Sequence, residues 1–132
     1  GSATYTLLGA TKPTFLDGSG SAGTFSFAAG GGMSVSFFGG GATLSLTNAQ
    51  VNMPSHGTYT MNGGTTICGS TSAFSFVPST TGSGSACLCS CNSFVQGFFA
   101  GTTAERAGIA YHIQDSGAGF KEVIGAAALK KQ

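Results

Sequence analysis

Four cysteines offer the most specific chemistry in this sequence. Cys87, Cys89 and Cys91 alternate inside a segment rich in Ser and Gly, and Cys68 stands alone earlier in the chain. An even number of cysteines in a chain rich in Ser and Thr favours an oxidising compartment and two disulfides. We therefore expect a protein of the periplasm, the cell surface or the secreted fraction.

The spacing of the cysteines limits how they can pair. If residues 87–91 formed an extended strand, the Cα atoms of Cys87 and Cys91 would be about 13 Å apart, which is more than a disulfide tolerates. Either this segment curls into a loop that allows internal bridges, or spare thiols pair with another molecule. We expect Cys68 to be bonded to the Cys-rich loop, where it would staple a hairpin.

A metal site is the alternative for the same residues. A C-x-C-x-C cluster with the distant Cys68 could hold zinc or copper, but C-x-x-C spacing and a nearby His are missing. Structural disulfides are the preferred interpretation, and we predict neither a metal nor a cofactor.

Other residue types that could support catalysis are few. The histidines are His56, in a predicted turn, and His112, on the polar face of a predicted strand. No G-x-S-x-G elbow is present, and no Ser, His and acidic residue stand in a recognisable order. The acidic residues are scattered over predicted turns and strand ends: Asp17, Glu105, Asp115 and Glu122. We expect a protein that is not an enzyme.

The elements that position these residues are predicted to be strands. Apolar and polar residues alternate in residues 25–27, 33–37, 43–47, 58–61, 74–76 and 109–113, and turns rich in Gly separate these runs. One apolar face per strand indicates a barrel or a sandwich. We expect residues 1–132 to form one all-β domain, a single antiparallel β-barrel of about eight strands with Gly-rich turns. Gly97 and Gly125 fall within strands, where we expect bends or bulges.

Composition excludes some classes of partner. The chain has only five Lys and Arg residues and a net charge of +1, too few cations to neutralise nucleic acid. No apolar run is long enough for a membrane-spanning helix. A membrane barrel with an aromatic girdle is not expected either, because Trp is absent and there are only three Tyr. Such a sparsely charged surface favours self-association.

The C-terminal third of the sequence resembles a known family. Residues 97–108 read GFFAGTTAERAG between two strand-like runs, and residues 23–40 and 57–64 read GTFSFAAGGGMSVSFFGG and GTYTMNGG. These segments are similar to the strands and closing hairpin of the transferrin-binding-protein-B-like β-barrel. That barrel occurs in surface lipoproteins of Gram-negative bacteria and in the C-terminal regions of FecR-domain proteins. The resemblance implies a module for binding or assembly outside the cytoplasm, with partners that dock on loops.

Two functional hypotheses follow. The first is a non-catalytic binding module that recognises a protein or a small ligand through its loops at residues 53–57, 79–91 and 117–120. Its predicted contact residues are Met53, His56, Asp115 and Phe120. The second is a subunit that binds copies of itself in an extracellular filament, sheath or surface assembly, as the sparse charge and spare cysteines suggest.

Overall fold

A computed structural model describes residues 1–117 and 119–132, and the regular structure of those residues is entirely β. The ten strands are β1 (Ser2–Ala10), β2 (Thr14–Phe15), β3 (Thr24–Phe38), β4 (Gly41–Met53), β5 (Gly57–Cys68), β6 (Ala73–Phe76), β7 (Ser79–Gly84), β8 (Cys91–Ala100), β9 (Arg106–Asp115) and β10 (Lys121–Lys131). The predicted all-β class is confirmed. Among the described residues there is no helix long and apolar enough to cross a membrane.

The strands form one antiparallel sheet that curls into an open half-barrel. Their order is β6-β8-β9-β10-β1-β3-β4-β5-β7, and the short β2 pairs with β10. The sequence predicted a closed barrel of about eight strands, and the closure is wrong. The number differs because β2 and β7 are additional strands, and β7 occupies residues 79–84 of a segment that was predicted to be a loop.

The opening lies in the segment that joins β6 to β7. The β6 strand is hydrogen bonded to β8, whereas β7 is hydrogen bonded to β5, so the chain changes partner at Val77 and Pro78. Pro78 has no N–H to offer either ladder. The Ser93 side chain crosses this seam, because its hydroxyl contacts the Pro78 carbonyl oxygen and the Thr80 hydroxyl. We call this place the seam.

The core occupies the concave side of the sheet. Alternate residues of each strand point inward, and the largest fully buried ones include Tyr5, Met33, Leu44, Tyr59 and Ile113. We predicted bends or bulges at Gly97 and Gly125; both lie in ladders without a register shift, so there is no bulge at either position. An added Cβ would lie 2.3 Å from the Phe74 ring at Gly97 and 2.1 Å from the Tyr111 hydroxyl at Gly125. Both glycines therefore make room for aromatic side chains.

The loops gather at the two ends of the half-barrel. The first, which we call the disulfide end, comprises residues 15–24, 53–57, 84–91, 115–117 and 119–122. The second, which we call the terminal end, comprises residues 1–2, 37–41, 68–73, 100–106 and 130–132.

Candidate binding site at the disulfide end

A buried carboxylate organises the disulfide end. Asp115 is the last residue of β9, and its side chain is only 2% exposed. Its Oδ2 accepts hydrogen bonds from the Tyr59 hydroxyl at 2.7 Å and from the Cys87 N–H at 3.0 Å, and its Oδ1 accepts one from the Gly117 N–H at 3.0 Å. One carboxylate thereby fixes the Cys-rich loop and the β9–β10 loop against β5.

His56 joins the third loop to this network. Its Nε2 lies 2.9 Å from the Tyr59 hydroxyl oxygen and 3.5 Å from Asp115 Oδ2. Because the Tyr59 hydroxyl gives its proton to Asp115, its oxygen is free to accept the proton on Nε2. The His56 carbonyl also accepts a 2.7 Å hydrogen bond from the Ser85 N–H, and the His56 ring meets the edge of Phe15. The β4–β5 loop is thus bound to its neighbours by backbone and side chain.

The protonation states suit this structural role. Burial alone would raise the pKa of Asp115, but hydrogen bonds from the Cys87 N–H, Tyr59 and the Gly117 N–H outweigh burial and lower that pKa. Burial, and then the contact with Asp115, raises the pKa of Tyr59. The pair is therefore an anionic acceptor and a neutral donor at neutral pH. The carboxylate has its oxygens occupied and is poorly placed to act as a base toward a substrate.

The Cys-rich segment curls into a loop that contains an internal disulfide, which is the first of the two alternatives that the spacing of the cysteines allowed. Cys87 and Cys91 form a disulfide with their Cα atoms 5.2 Å apart, and Cys87 adopts a left-handed φ of 57°. The predicted bond between Cys68 and this loop is wrong. Cys68 ends β5 at the terminal end, eleven residues from Gly57, a distance of about 36 Å at the usual strand rise. All four cysteines lie in the described part of the chain, and Cys68 and Cys89 are free and exposed.

The surface above this network combines apolar and polar side chains. Leu16, Leu88 and Phe120 are 55%, 63% and 60% exposed and come from three different loops. Leu88 also lines a cavity of about 210 Å³, together with His56 and Lys121. The Lys121 ammonium donates to Ser19 Oγ at 2.9 Å and to Asp17 Oδ2 at 3.4 Å. Hydrogen bonds from the Ser19 side chain and the Ser19 N–H, and then the contact with Lys121, lower the pKa of Asp17 to about 2.

The four predicted contact residues all lie at this end, but their roles differ. Met53 is 1% exposed and belongs to the core, so the prediction that it contacts a partner is wrong. His56 and Asp115 hold the loops together from beneath, and Phe120 is on the surface. In the predicted loop 117–120, residue 118 lies outside the described residues. Sequence reasoning missed Leu88, although an apolar residue among Ser, Gly and Cys is a signal that could have been used.

A second concave surface lies on the outer wall of the sheet. It is a groove of about 650 Å³ across β8, β9 and β10, with a floor of Gly108, Ala110, Ala126 and Ala128. Phe98 borders it and is 54% exposed. Charged side chains do not line this groove within the described residues. It therefore offers mainly apolar contact, and the polar side chains among its lining residues are Thr11 and Gln96.

Comparisons with known proteins do not identify a relative: no family model, no curated protein and no solved structure matches the chain. The resemblance to the transferrin-binding-protein-B-like barrel stays a prediction. Within residues 1–117 and 119–132, no group of three or more His, Cys, Asp and Glu side chains is arranged to hold a metal ion.

Proposed function

We propose that this chain is a non-catalytic binding module that acts outside the cytoplasm and docks its partner on the disulfide end. The observation that carries the proposal is the convergence of three loops on Asp115. The sequence predicted irregular loops at residues 53–57, 79–91 and 117–120; residues 79–84 instead form β7, and the remaining part of that segment joins the other two loops at this end. Recognition concentrates on loops that a rigid scaffold holds in place.

The apolar side chains on this surface support a macromolecular partner. Leu16, Leu88 and Phe120 are large and mostly exposed, and Leu88 lines the cavity beside His56 and Lys121. Contiguous apolar residues with a polar rim are typical of interaction sites on soluble domains, and aromatic side chains often supply most of the binding energy. Because the loops are already fixed by hydrogen bonds and a disulfide, little conformational entropy would be lost on binding.

Three further observations support the rest of the proposal. The Cys87–Cys91 disulfide and the small β domain are consistent with a location outside the cytoplasm. The resemblance to barrels of Gram-negative surface lipoproteins points to the periplasm or the cell surface. The hydrogen-bonded state of Asp115 supports a structural rather than a catalytic use of the one buried acid.

Selection of peptides from a displayed library on the immobilised full chain would test the proposal. Two variants are compared. The disulfide-end variant combines Leu16→Ser, Leu88→Ser and Phe120→Ser, and the control, the wall variant, combines Phe94→Ser and Phe98→Ser on the outer wall. We expect the enriched peptides to bind the wall variant. Their affinity for the disulfide-end variant should be lower by tenfold or more, which corresponds to about 1.4 kcal/mol of binding free energy.

The opposite dependence, or no enriched sequence at all, would refute the disulfide end as the binding surface. Both variants change exposed residues and should keep the circular-dichroism spectrum of the parent chain, which separates loss of binding from loss of folding.

A further inference from the structure

The two free thiols lie at opposite ends of the molecule. Cys68 is at the terminal end, and Cys89 lies in the loop closed by the Cys87–Cys91 disulfide. The length of β5 separates the two ends by about 36 Å, whereas disulfide-bonded Cα atoms lie within about 7 Å. Cys68 and Cys89 of one chain therefore cannot bond to each other, but they can bond between chains.

The charged side chains are divided between the same two ends. The disulfide end has three carboxylates and one ammonium group, a formal charge of −2, from Asp17, Asp115, Glu122 and Lys121. The terminal end has three cations and one carboxylate, a formal charge of +2, from Arg106, Lys130, Lys131 and Glu105. The remaining charged residue, Lys12, follows β1 beside the middle of β10. Opposite charges at opposite ends attract copies of the chain in one relative orientation.

Each thiol also has an exposed apolar neighbour. Cys89 follows Leu88, which is 63% exposed. At the terminal end, Cys68 pairs with Gly41, whose position is in contact with the Phe38 ring, and Phe38 is 49% exposed. Each surface thus offers an exposed apolar side chain near its thiol, and the two surfaces carry opposite charge.

We infer that the partner of the disulfide end is the terminal end of a second copy of this chain. The inference rests on the proposed function, because it names the occupant of that binding surface. The two surfaces differ, so the contact is head-to-tail and produces open chains of molecules rather than closed dimers. A disulfide between Cys68 of one copy and Cys89 of the next would make each contact covalent.

Formation of that bond needs an oxidant of the disulfide class. A thiolate of one copy attacks the oxidant's disulfide, which releases one reduced thiol and leaves a mixed disulfide. The thiolate of the second copy attacks the mixed disulfide and releases the second reduced thiol. Two protein thiols lose two electrons and two protons, and one oxidant disulfide gains them.

Oxidised glutathione and the full chain make the first test. Non-reducing electrophoresis should show a ladder that extends beyond dimers, and mass spectrometry should find the Cys68–Cys89 cross-link. The single variants Cys68→Ser and Cys89→Ser should each stay monomeric on the non-reducing gel, because a head-to-tail contact places the remaining thiol opposite a serine. A ladder built from Cys68–Cys68 and Cys89–Cys89 links would refute the head-to-tail orientation.

Charge reversal makes the second test, with cross-linking rate as the readout. The double variant Lys130→Glu, Lys131→Glu should lower the cross-linking rate about tenfold or more at low salt. The control variant Lys12→Glu should leave that rate unchanged. Mixing the Lys130→Glu, Lys131→Glu chain with an Asp17→Lys, Glu122→Lys chain should restore the rate. Equal slowing by Lys12→Glu would refute the division of charge as the cause.

The double variant Cys68→Ser, Cys89→Ser isolates the non-covalent contact. Sedimentation velocity should show association that weakens as salt is added, because the charges are screened. A monomer at every concentration and salt, with enriched peptides still bound at the disulfide end, would refute self-association and leave the proposed function standing. Failure of the peptide selection would instead refute the proposed function.

Discussion

Two buried tyrosines, Tyr59 and Tyr111, differ in hydrogen bonding. We therefore expect replacement by Phe to change the free energy of unfolding differently at the two positions. The Tyr59 hydroxyl donates to the ionised Asp115 at 2.7 Å, and Tyr59 is fully buried. Removing it in Tyr59→Phe deprives a buried carboxylate of a donor, and hydrogen bonds to charged groups are worth about 1.5–3 kcal/mol. We expect a loss of about 2 kcal/mol in the free energy of unfolding.

Tyr111 is the matched control. It is 3% exposed, and its hydroxyl has no hydrogen-bond partner among the described residues, although its ring stacks on Phe25. Burial of an unpaired polar group costs about 1–3 kcal/mol, so Tyr111→Phe should leave stability unchanged or raise it by about 1 kcal/mol. The ring and its packing stay the same in both variants, and only the environment of the lost hydroxyl differs.

Urea unfolding without reductant, followed by far-ultraviolet circular dichroism, measures this difference. A gap of about 2–3 kcal/mol between the variants corresponds to about 1–1.5 M in the midpoint when the m-value is about 2 kcal/mol/M. The m-values should be equal, which shows that the change lies in stability rather than in compactness. Equal destabilisation by the two substitutions would refute the argument that Asp115 depends on the Tyr59 hydroxyl.

Three further predictions concern the core, the network and the seam. Gly125→Ala should destabilise the chain by about 2–3 kcal/mol because its Cβ would meet the Tyr111 hydroxyl at 2.1 Å. The control is Gly9→Ala, which should change the free energy of unfolding little because nothing lies within 4 Å of an added Cβ there. Thermal unfolding of the two variants makes the comparison. The lowered pKa of Asp115 means that its stabilisation is present above the unfolded-state pKa of about 4 and is lost as pH falls through the folded value; Asp115→Asn should flatten the acid limb of stability measured against pH. Ser93→Ala should cost about 1–2 kcal/mol and speed hydrogen exchange in β7, whereas unchanged exchange there would show that the hydroxyl does not bridge the seam.

Local alternation was sufficient to predict most of the strands. Tyr59, Met61, Ile109 and Ile113 were recognised as apolar positions of period two, and all are buried on the concave side. The same pattern cannot tell which side of the sheet faces the core. Phe94 shares the alternation, yet it lies on the outer wall with 45% exposure, because the inward positions of β8 are taken by other residues.

The partners of residues far apart in sequence could not be predicted. The expected bond from Cys68 to the Cys-rich loop fails because the register of β4 with β5 places Cys68 opposite Gly41. That register depends on pairing across the whole hairpin and not on any local signal. The importance of Asp115 was hidden for the same reason, since two of its donors are far away in sequence, the Tyr59 hydroxyl in β5 and the Cys87 N–H in the Cys-rich loop.

The change of partner at Val77 and Pro78 has a mechanical consequence. In a cylinder closed by hydrogen bonds, the girth can change only if a whole row of bonds breaks together. Here the row is interrupted, and the two margins are tied by the backbone between Phe76 and Ser79 and by the Ser93 side chain. The circumference of the half-barrel is therefore set by a few backbone and side-chain torsion angles at the seam. It can increase there while the hydrogen-bonded ladders on both sides of the seam stay intact.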